Sequence, residues 1–453
     1  MEATDLFVTP VLFLVVLLVA WLIRPWVTYE ENRQYFIPAL VVRVVGALAL
    51  GALYQFYYGG GDTFNYFTHG GKQIYEAFLD DPAIAFKLIF ADTNYPEGVY
   101  KYAARIWMYR DPPAYMVVRI AGIFAILTGG TYSGTALLFA LVSFSGLWAM
   151  YMAFCKLFPQ HINRLALAIL FIPSTVFWGS GILKDSITFG MLGWSTAALI
   201  HLLYWRKHPV RWLVILVLSL LLIAKIKVYI VLSFIPAAMV WLYKLSLKKI
   251  PNQMARLLAA PLIILLVMGF GALTVYQISK SSPRYALDRL AETARITAYD
   301  IGRWTGRGAG SRYDLGDFDG TLPSMLRLAP AAINVSLFRP YLWEVRNPLM
   351  LLAALESFVL TIITLIILVR MIRYRIRVLH SPAAWFALTF VLVFAFAVGI
   401  STYNFGSLFR YKVPLMPFFA ILLTLAWGSA SRQIKNIRHQ KQGHRLPGQA
   451  VLP

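Results

Sequence analysis

Long apolar runs, separated by short polar and often basic segments, dominate the chain. As helices, most of these runs are long enough to cross roughly 30 Å of hydrocarbon. The pattern predicts an all-α polytopic membrane protein with about eleven transmembrane helices. The predicted spans are 7–25, 37–57, 133–155, 163–182, 186–205, 211–225, 228–243, 257–277, 349–371, 383–400 and 412–428.

Composition supports a single membrane domain at 1–428, followed by a basic tail at 429–453. Hydrophobic residues make up 59% of the chain, charged residues 14%, and the mean hydropathy is +0.65. The lone Cys155 excludes an intrachain disulfide framework and a multi-cysteine metal site, and we interpret it as a packing residue. Acidic Glu2 and Asp5 precede the first run, which favours a retained span over a signal peptide.

Basic residues in the short loops predict the orientation in a cell (inner) membrane, with the N-terminus outside and the C-terminus cytoplasmic. The net charge of +22 then mostly reflects topology. The charges are dispersed along membrane edges, so anionic lipids are expected partners and nucleic acid is not. The predicted cytoplasmic basic residues are Lys156, Arg164, Arg206, Lys207, Arg211, Lys244, Lys248, Lys249, Arg256, Arg370, Arg373, Arg375, Arg377 and those of 432–445.

This orientation leaves two long segments outside the cell, at about 58–132 and 278–348. The first contains a predicted helix at 71–90 and a short apolar stretch at 116–127, which we interpret as interfacial or re-entrant. The second opens with a predicted amphipathic helix near 285–301 and is interrupted by the glycine-rich stretch 306–310. Loops of this length are uncommon without a function.

Two acids at predicted outer ends of spans are the first candidates for a site. Asp62 follows three glycines, and Asp185 follows Lys184 at the start of a span. If both lie on the same side of the bilayer, they can share one site. Structural roles are also open: Asp62 as a turn or cap residue, and Asp185 as a partner of Lys184 or as a helix N-cap.

Cations gather at the same predicted edge, where the inside-positive bias predicts few. Lys225 and Lys227 interrupt one pair of spans, and Arg410 and Lys412 precede the last span. Such residues often only snorkel to headgroups. Because acids lie at the same edge, these cations also suit a phosphate group. Arginine can bind phosphate through two parallel hydrogen bonds, and lysine binds it as a point charge.

In this layout the chain resembles the GT-C class of integral membrane glycosyltransferases, which use a polyprenyl-phosphate-linked sugar on the extracytoplasmic face. The resemblance rests on Gly61-Asp62 with its following aromatic residues, on Asp185 after the Pro173…Trp178 stretch, and on 410–414, Arg-Tyr-Lys-Val-Pro. The chain departs from the family by an extra span before Asp62 and by lacking a large C-terminal soluble domain.

The resemblance implies transfer of a sugar from a polyprenyl-phosphate lipid donor to a saccharide or protein acceptor. Asp62 would be the base, with Tyr66 and Phe67 as a sugar platform, and Asp185 would orient the acceptor or a divalent metal. Arg410 and Lys412 would hold the phosphate. Lys184, Lys225 and Lys227 would assist, and Arg339 and Glu344, beside Trp343, would bind sugar or acceptor or simply anchor their loop.

Other functions stay open on the sequence alone. A polysaccharide polymerase or ligase would use arginines of the second outer segment, and a lipid-linked-saccharide transporter or flippase would show broken helices at the midplane. A non-catalytic scaffold is a further alternative. Glu356 lies inside a predicted span with no evident partner, while Arg43 and His201 suit interfacial roles. The arginines in question are Arg303, Arg307, Arg312, Arg327 and Arg339.

Overall fold

The computed structural model describes residues 3–249, 252, 254–255, 289–304, 311–316, 319–375 and 379–443. Over these residues the protein is helical, and an isolated bridge between Arg312 and Asn404 is the one β-type pairing. The predicted all-α class is therefore confirmed. The helices are α1 (Ala3–Val27), α2 (Arg33–Ala52), α3 (Asp62–Tyr66), α4 (Lys72–Asp80), α5 (Pro82–Phe90), α6 (Tyr100–Ala103), α7 (Pro112–Leu127), α8 (Tyr132–Leu157), α9 (Ile162–Leu170), α10 (Pro173–Trp178), α11 (Lys184–Ile200), α12 (Pro209–Lys249), α13 (Leu290–Trp304), α14 (Leu322–Arg327), α15 (Ala329–Phe338), α16 (Pro348–Tyr374), α17 (Pro382–Thr402), α18 (Phe405–Tyr411) and α19 (Met416–Gly443).

Among the described residues, eight helices are long and apolar enough to cross a membrane, which confirms a membrane protein. Each overlaps a run predicted from the sequence. The predicted span 257–277 lies outside the described residues, and so does the glycine-rich stretch 306–310. The total of about eleven spans therefore stays a prediction. The eight are Thr4–Val27, Arg33–Tyr57, Tyr132–Leu157, Lys184–Trp205, Pro209–Leu247, Pro348–Tyr374, Pro382–Thr402 and Val413–Ser431.

The longest helix, α12, turns back on itself at Lys227, whose backbone leaves the helical region at φ −145° and ψ 78°. Trp212 stacks on His201 at 3.9 Å between ring centroids, and Trp241 donates to the hydroxyl of Tyr204 at 3.2 Å. A straight helix would separate positions 212 and 241 by about 44 Å. Because both contact the same turn after α11, the two halves of α12 run antiparallel, with Lys227 at the tip.

The predicted span 163–182 is a broken helix rather than a continuous one. Helix α9 ends at Leu170, two residues are non-helical, and α10 begins at Pro173. Proline lacks the N–H that a continuing helix needs, yet it suits the first position of a new helix. The break frees backbone groups near Ile172 and Ser174, which are buried, and other parts of the chain must satisfy them.

The predicted helix 71–90 is also divided, into α4 and α5. Asp81 between them has extended backbone, and its side chain accepts from the N–H of Ala83 at 2.9 Å. Pro82 occupies the first position of α5, so the new helix starts with a cap and a preset φ. The apolar stretch 116–127 belongs to α7, a 16-residue helix packed against α4, α8 and α12.

Glycines allow α8 and α11 to cross closely, which fixes the helix that carries Asp185. A Cβ placed on Gly146 would lie 1.7 Å from the carbonyl oxygen of Gly190, and one on Gly193 would lie 2.3 Å from that of Gly146. Close approach of backbones through small residues is typical of helix pairs in membranes. Larger residues here would push α11 away from its place.

The second long segment is hydrogen-bonded to α17 and to α18, at the end of the bundle where α11 begins. Tyr313 donates to the carbonyl of Gly399 at 3.0 Å, and the N–H of Phe405 donates to the carbonyl of Ser311 at 2.8 Å. Asn404 caps α18 by accepting from the N–H of Ser407 at 3.1 Å. These contacts position α18, which carries Arg410.

Candidate acid–base site

Four charged side chains from distant parts of the chain meet at one end of the bundle. Asp62 begins α3, Asp185 lies in the first turn of α11, Lys227 forms the tip of α12, and Arg410 belongs to α18. We call these four residues the acid–base cluster. Three of them are the candidates that the sequence placed together, and Lys227 was predicted to assist.

Arg410 joins the two acids. Its Nη1 lies 2.5 Å from Oδ2 of Asp62, and its Nε lies 2.8 Å from Oδ2 of Asp185. Burial disfavours the charged guanidinium, but the carboxylates of Asp185 and Asp62 outweigh this and raise the pKa of Arg410 well above its usual range. Arg410 is therefore a permanent cation between two carboxylates, and simple snorkelling does not describe it.

Lys227 completes the cluster from the opposite side of Asp185. Its Nζ lies 2.5 Å from Oδ1 of Asp185, and its ammonium also stands over the ring of Tyr411 at 4.8 Å from the centroid. The kink of α12 at Lys227 brings this side chain to the acid. Asp185 thus accepts one charged donor on each oxygen and is held in a single orientation.

The two acids differ strongly in access to solvent. The side chain of Asp185 is 0% exposed, whereas that of Asp62 is 44% exposed. Oδ1 of Asp62 makes no hydrogen bond within the described part of the chain. Asp62 is therefore the acid that is accessible from solvent at this end of the bundle, and Asp185 is not.

Helix α3 is short, but its backbone is held in place. Gly61 precedes it with φ 123°, a conformation that side chains rarely adopt, and a Cβ there would meet the ring of Tyr54 at 2.8 Å. Thr63 shares a 2.6 Å hydrogen bond with the hydroxyl of Tyr132, and Phe64 stacks on the same ring at 4.9 Å. Asp62 therefore projects from a fixed backbone.

The other lysines predicted for the site are placed differently. Lys184 does not pair with its neighbour Asp185; its Nζ lies 3.4 Å from Oδ2 of Asp111, because adjacent helical residues point in different directions. Asp185 is not the N-cap either, since Leu183 holds that position. Lys225 is exposed and lies outside the cluster, although it is only two residues from Lys227.

Lys412 lies beneath the cluster and is 0% exposed. Its Nζ lies 3.2 Å from the hydroxyl of Ser357, and no acid lies within ion-pair distance of it in the described structure. Burial lowers the pKa of Lys412 to about 8, although the carboxylate of Glu356 acts in the opposite direction. Lys412 is therefore not accessible to a phosphate at the surface of this structure.

Arg339 and Glu344 form an ion pair with each other rather than with the cluster. The Nε of Arg339 lies 3.1 Å from each carboxylate oxygen of Glu344, and its Nη2 also donates to Glu344. The guanidinium stands 5.2 Å from the ring centroid of Phe405, the first residue of α18. This geometry agrees with the loop-anchoring alternative, and Arg339 lies close to the helix of Arg410.

The sugar platform predicted from Tyr66 and Phe67 is wrong as a surface feature. Tyr66 is 4% exposed and Phe67 3% exposed, since both belong to the packed core. Burial raises the pKa of the Tyr66 hydroxyl far above its usual range. Tyr66 is the last residue of α3 and Phe67 follows it, so their packing helps to hold the backbone that carries Asp62.

Two charged residues within spans, Glu356 and Arg43, form hydrogen bonds with the two ends of α10. The sequence did not show these partners. Glu356 accepts from the N–H of Ser174 at 2.8 Å and from its hydroxyl at 2.7 Å. At the other end, Nη1 of Arg43 donates to the carbonyls of Thr175 at 2.7 Å and Gly179 at 3.4 Å. An acid at the N-terminus and a base at the C-terminus complement the helix dipole. The interfacial role expected for Arg43 is therefore wrong, because it is 1% exposed.

A metal finds no ready ligand set in the described residues, which contain no group of three or more His, Cys, Asp or Glu side chains able to hold one. Between Asp62 and Asp185 stands Arg410, a cation in the place that a bridging metal would take.

Comparisons with protein-family models, with curated proteins and with solved structures find no match for this chain.

Proposed function

We propose that the protein is a membrane glycosyltransferase that moves a sugar from a polyprenyl-phosphate-linked donor to an extracytoplasmic acceptor. The observation that carries this proposal is Arg410 bridging the exposed acid Asp62 and the buried acid Asp185. A buried cation beside an accessible carboxylate suits a reaction with a departing phosphate and an attacking hydroxyl.

The proposed chemistry is a single displacement at the anomeric carbon. A hydroxyl of the acceptor attacks that carbon while its proton passes to Asp62, and the bond from carbon to the phosphate oxygen breaks. The lipid leaves as its phosphate, whose charge Arg410 stabilises with Lys227 close by. Asp185 holds both cations in place. No further reactant is needed.

The distribution of basic residues supports placing this cluster outside the cytoplasm. At the opposite end of the bundle, Lys156 lies over Trp205 at 4.3 Å from the ring centroid, and Arg370 lies over Trp427 at 4.0 Å. These belong to the loops that the inside-positive bias assigns to the cytoplasm. A donor presented by the outer leaflet would then meet Asp62 and Arg410 at the membrane surface.

The proposal is tested by Asp62→Asn in the purified protein. Asparagine keeps the size of the side chain and removes the carboxylate that takes the proton. A base typically contributes roughly 10²–10⁴-fold, so transfer from a radiolabelled polyprenyl-phosphate sugar should fall by about that factor. Thermal unfolding and the elution profile in detergent establish that the variant is folded.

The matched control is Asp80→Asn, an exposed acid in the same segment that bonds to Lys101 at 2.8 Å, away from the cluster. Its transfer rate should stay near that of the wild type. Full turnover by Asp62→Asn would remove the assigned base. Absence of any transfer by the wild type, with lipid-linked sugar crossing sealed vesicles instead, would favour transport.

The transport alternative has one specific observation in its favour. Helices α9 and α10 form a discontinuous span, and Glu356 and Arg43 cap the ends of α10 inside the bundle. Discontinuous helices are common at the binding sites of transporters. Here both ends of the short helix are already satisfied by the chain, which favours a structural role for the break.

A further inference from the structure

The acid–base cluster is self-neutralised. Asp62 and Asp185 carry two negative charges, Lys227 and Arg410 carry two positive charges, and every cation bonds to an acid. A phosphate arriving at the cluster therefore meets donors that already serve carboxylates. At least one existing ion pair must open before a phosphate oxygen can pair with Arg410.

The two carboxylates on Arg410 are not equally replaceable. Asp185 is fully buried and bonded to two cations, and opening a buried pair leaves uncompensated charges behind. Asp62 is 44% exposed and bonded to one cation, so once released it can be solvated by water, which the fully buried Asp185 cannot. An incoming anion therefore displaces Asp62 from Arg410 and leaves the ion pair between Arg410 and Asp185 intact.

We propose that, in the ligand-free protein, the Asp62 carboxylate occupies the position on Arg410 that the donor phosphate takes on binding. Arrival of the phosphate releases Asp62 and leaves it free to accept the acceptor proton. This inference rests on the proposed function and adds an order to it: the donor binds first, and its phosphate activates the base.

The exchange needs only a rotation of the Asp62 side chain. The backbone of α3 is held by the bond from Thr63 to Tyr132 and by the stacking of Phe64 on that ring. The side chain of Asp62, in contrast, has an open face and an oxygen without a protein partner in the described residues. Arg410 stays in place because its Nε remains on Asp185.

The test is the affinity of the purified protein for a polyprenyl monophosphate without sugar, measured in detergent micelles. If Asp62 competes for Arg410, removing its charge strengthens binding even though it abolishes transfer. An ion pair with one buried partner contributes at least as much as an exposed pair, which corresponds to roughly a two- to fivefold change, so Asp62→Asn should bind at least about twofold more tightly. Asp62→Ala should also bind the polyprenyl monophosphate more tightly. Alanine cannot form a hydrogen bond with Arg410, so this variant excludes an effect of a remaining bond from asparagine.

Three comparisons make the result specific. Asp80→Asn, which removes the same charge from an exposed pair with Lys101, should leave the affinity unchanged. The uncharged polyprenol should show no gain in either Asp62 variant. Inorganic phosphate should compete only weakly, and a gain confined to inorganic phosphate would overturn the lipid assignment.

The outcomes separate this inference from the proposed function. Unchanged or weaker phosphate binding in both Asp62 variants would overturn the exchange, even if transfer is lost as expected. Tighter phosphate binding in a protein whose wild type transfers no sugar would support the exchange and count against the transferase. Equal gains for polyprenol and its phosphate would also overturn it, because they would show a change in lipid access.

Discussion

Asparagine at position 185 should destabilise the protein strongly. Asp185 is fully buried and accepts from Nζ of Lys227 at 2.5 Å and from Nε of Arg410 at 2.8 Å. In the variant, Lys227 loses its acid, and Arg410 keeps only its ion pair with Asp62. Removing one partner of a buried ion pair typically costs about 3–5 kcal/mol, and two charge-assisted bonds of ~1.5–3 kcal/mol each lead to a similar figure. We expect a loss of about 3–5 kcal/mol.

Thermal and denaturant unfolding of the purified protein in detergent measure this loss. Adding Lys227→Met to Asp185→Asn removes the cation that has lost its acid, so the double variant should recover about 1–3 kcal/mol. Lys225→Met is the matched control, because Lys225 lies on the same tip of α12 but is exposed. That single variant should unfold like the wild type.

Two results would refute the reasoning. Wild-type stability of Asp185→Asn would mean that the three buried charges are not coupled in the folded protein. Equal effects of Lys225→Met and Lys227→Met on stability would mean that the kink at Lys227 does not select which lysine reaches the acid. The first result would also remove Asp185 as the residue that fixes Arg410.

Two further predictions concern pH. Since Lys412 has a folded pKa of about 8 against an ordinary value of 10.5, its buried charge destabilises the protein below pH 8, and this penalty fades between about pH 8 and 10.5. At ~1.4 kcal/mol per unit of pKa shift, Lys412→Met should be more stable than the wild type at pH 7 by about 3 kcal/mol. The melting temperatures of the two proteins should converge towards pH 10. A difference in stability that does not change with pH would contradict this prediction. Burial acts to raise the pKa of Glu344, but hydrogen bonds from Arg339 and the Tyr341 backbone outweigh it and lower the pKa below 4.5. Its stabilisation is therefore present above pH 4.5 and lost as the pH falls, so Glu344→Gln should cost about 1–2 kcal/mol at neutral pH and nothing in strong acid, as melting curves at both pH values would show.

The sequence predicted the helices well because lipid imposes a simple rule of length and apolarity. The observed ends of the spans lie within a few residues of the predicted ones, as for 349–371 against Pro348–Tyr374. It also predicted that Asp62, Asp185 and Arg410 would share one end of the bundle, since each adjoins a span end on the same predicted side. Alternation of spans across the bilayer is enough for that conclusion.

The partners of individual charges could not be predicted, because they depend on kinks and on contacts between distant segments. The sequence Lys225-Ile226-Lys227 does not show which lysine faces Asp185, because this depends on the backbone angles at Lys227. Glu356 and Ser174 are 182 positions apart, and their contact depends on a helix break. The proline at 173 signalled that break, and Arg43 within an apolar run signalled an internal partner.

The broken span also constrains the order in which the chain can assemble. During synthesis, the segment 162–178 enters the membrane long before Glu356 exists, so the N–H of Ser174 lacks its final acceptor until α16 has been made. An unsatisfied backbone group in hydrocarbon is costly, and the early intermediate must satisfy it with water or with lipid headgroups. Helix α10 packs mainly against α2, so docking of α16 supplies the acceptor for the N–H of Ser174 to a helix that α2 already holds. The acid–base cluster is completed only when the final quarter of the chain has been inserted, which ties the appearance of the site to the completion of biogenesis.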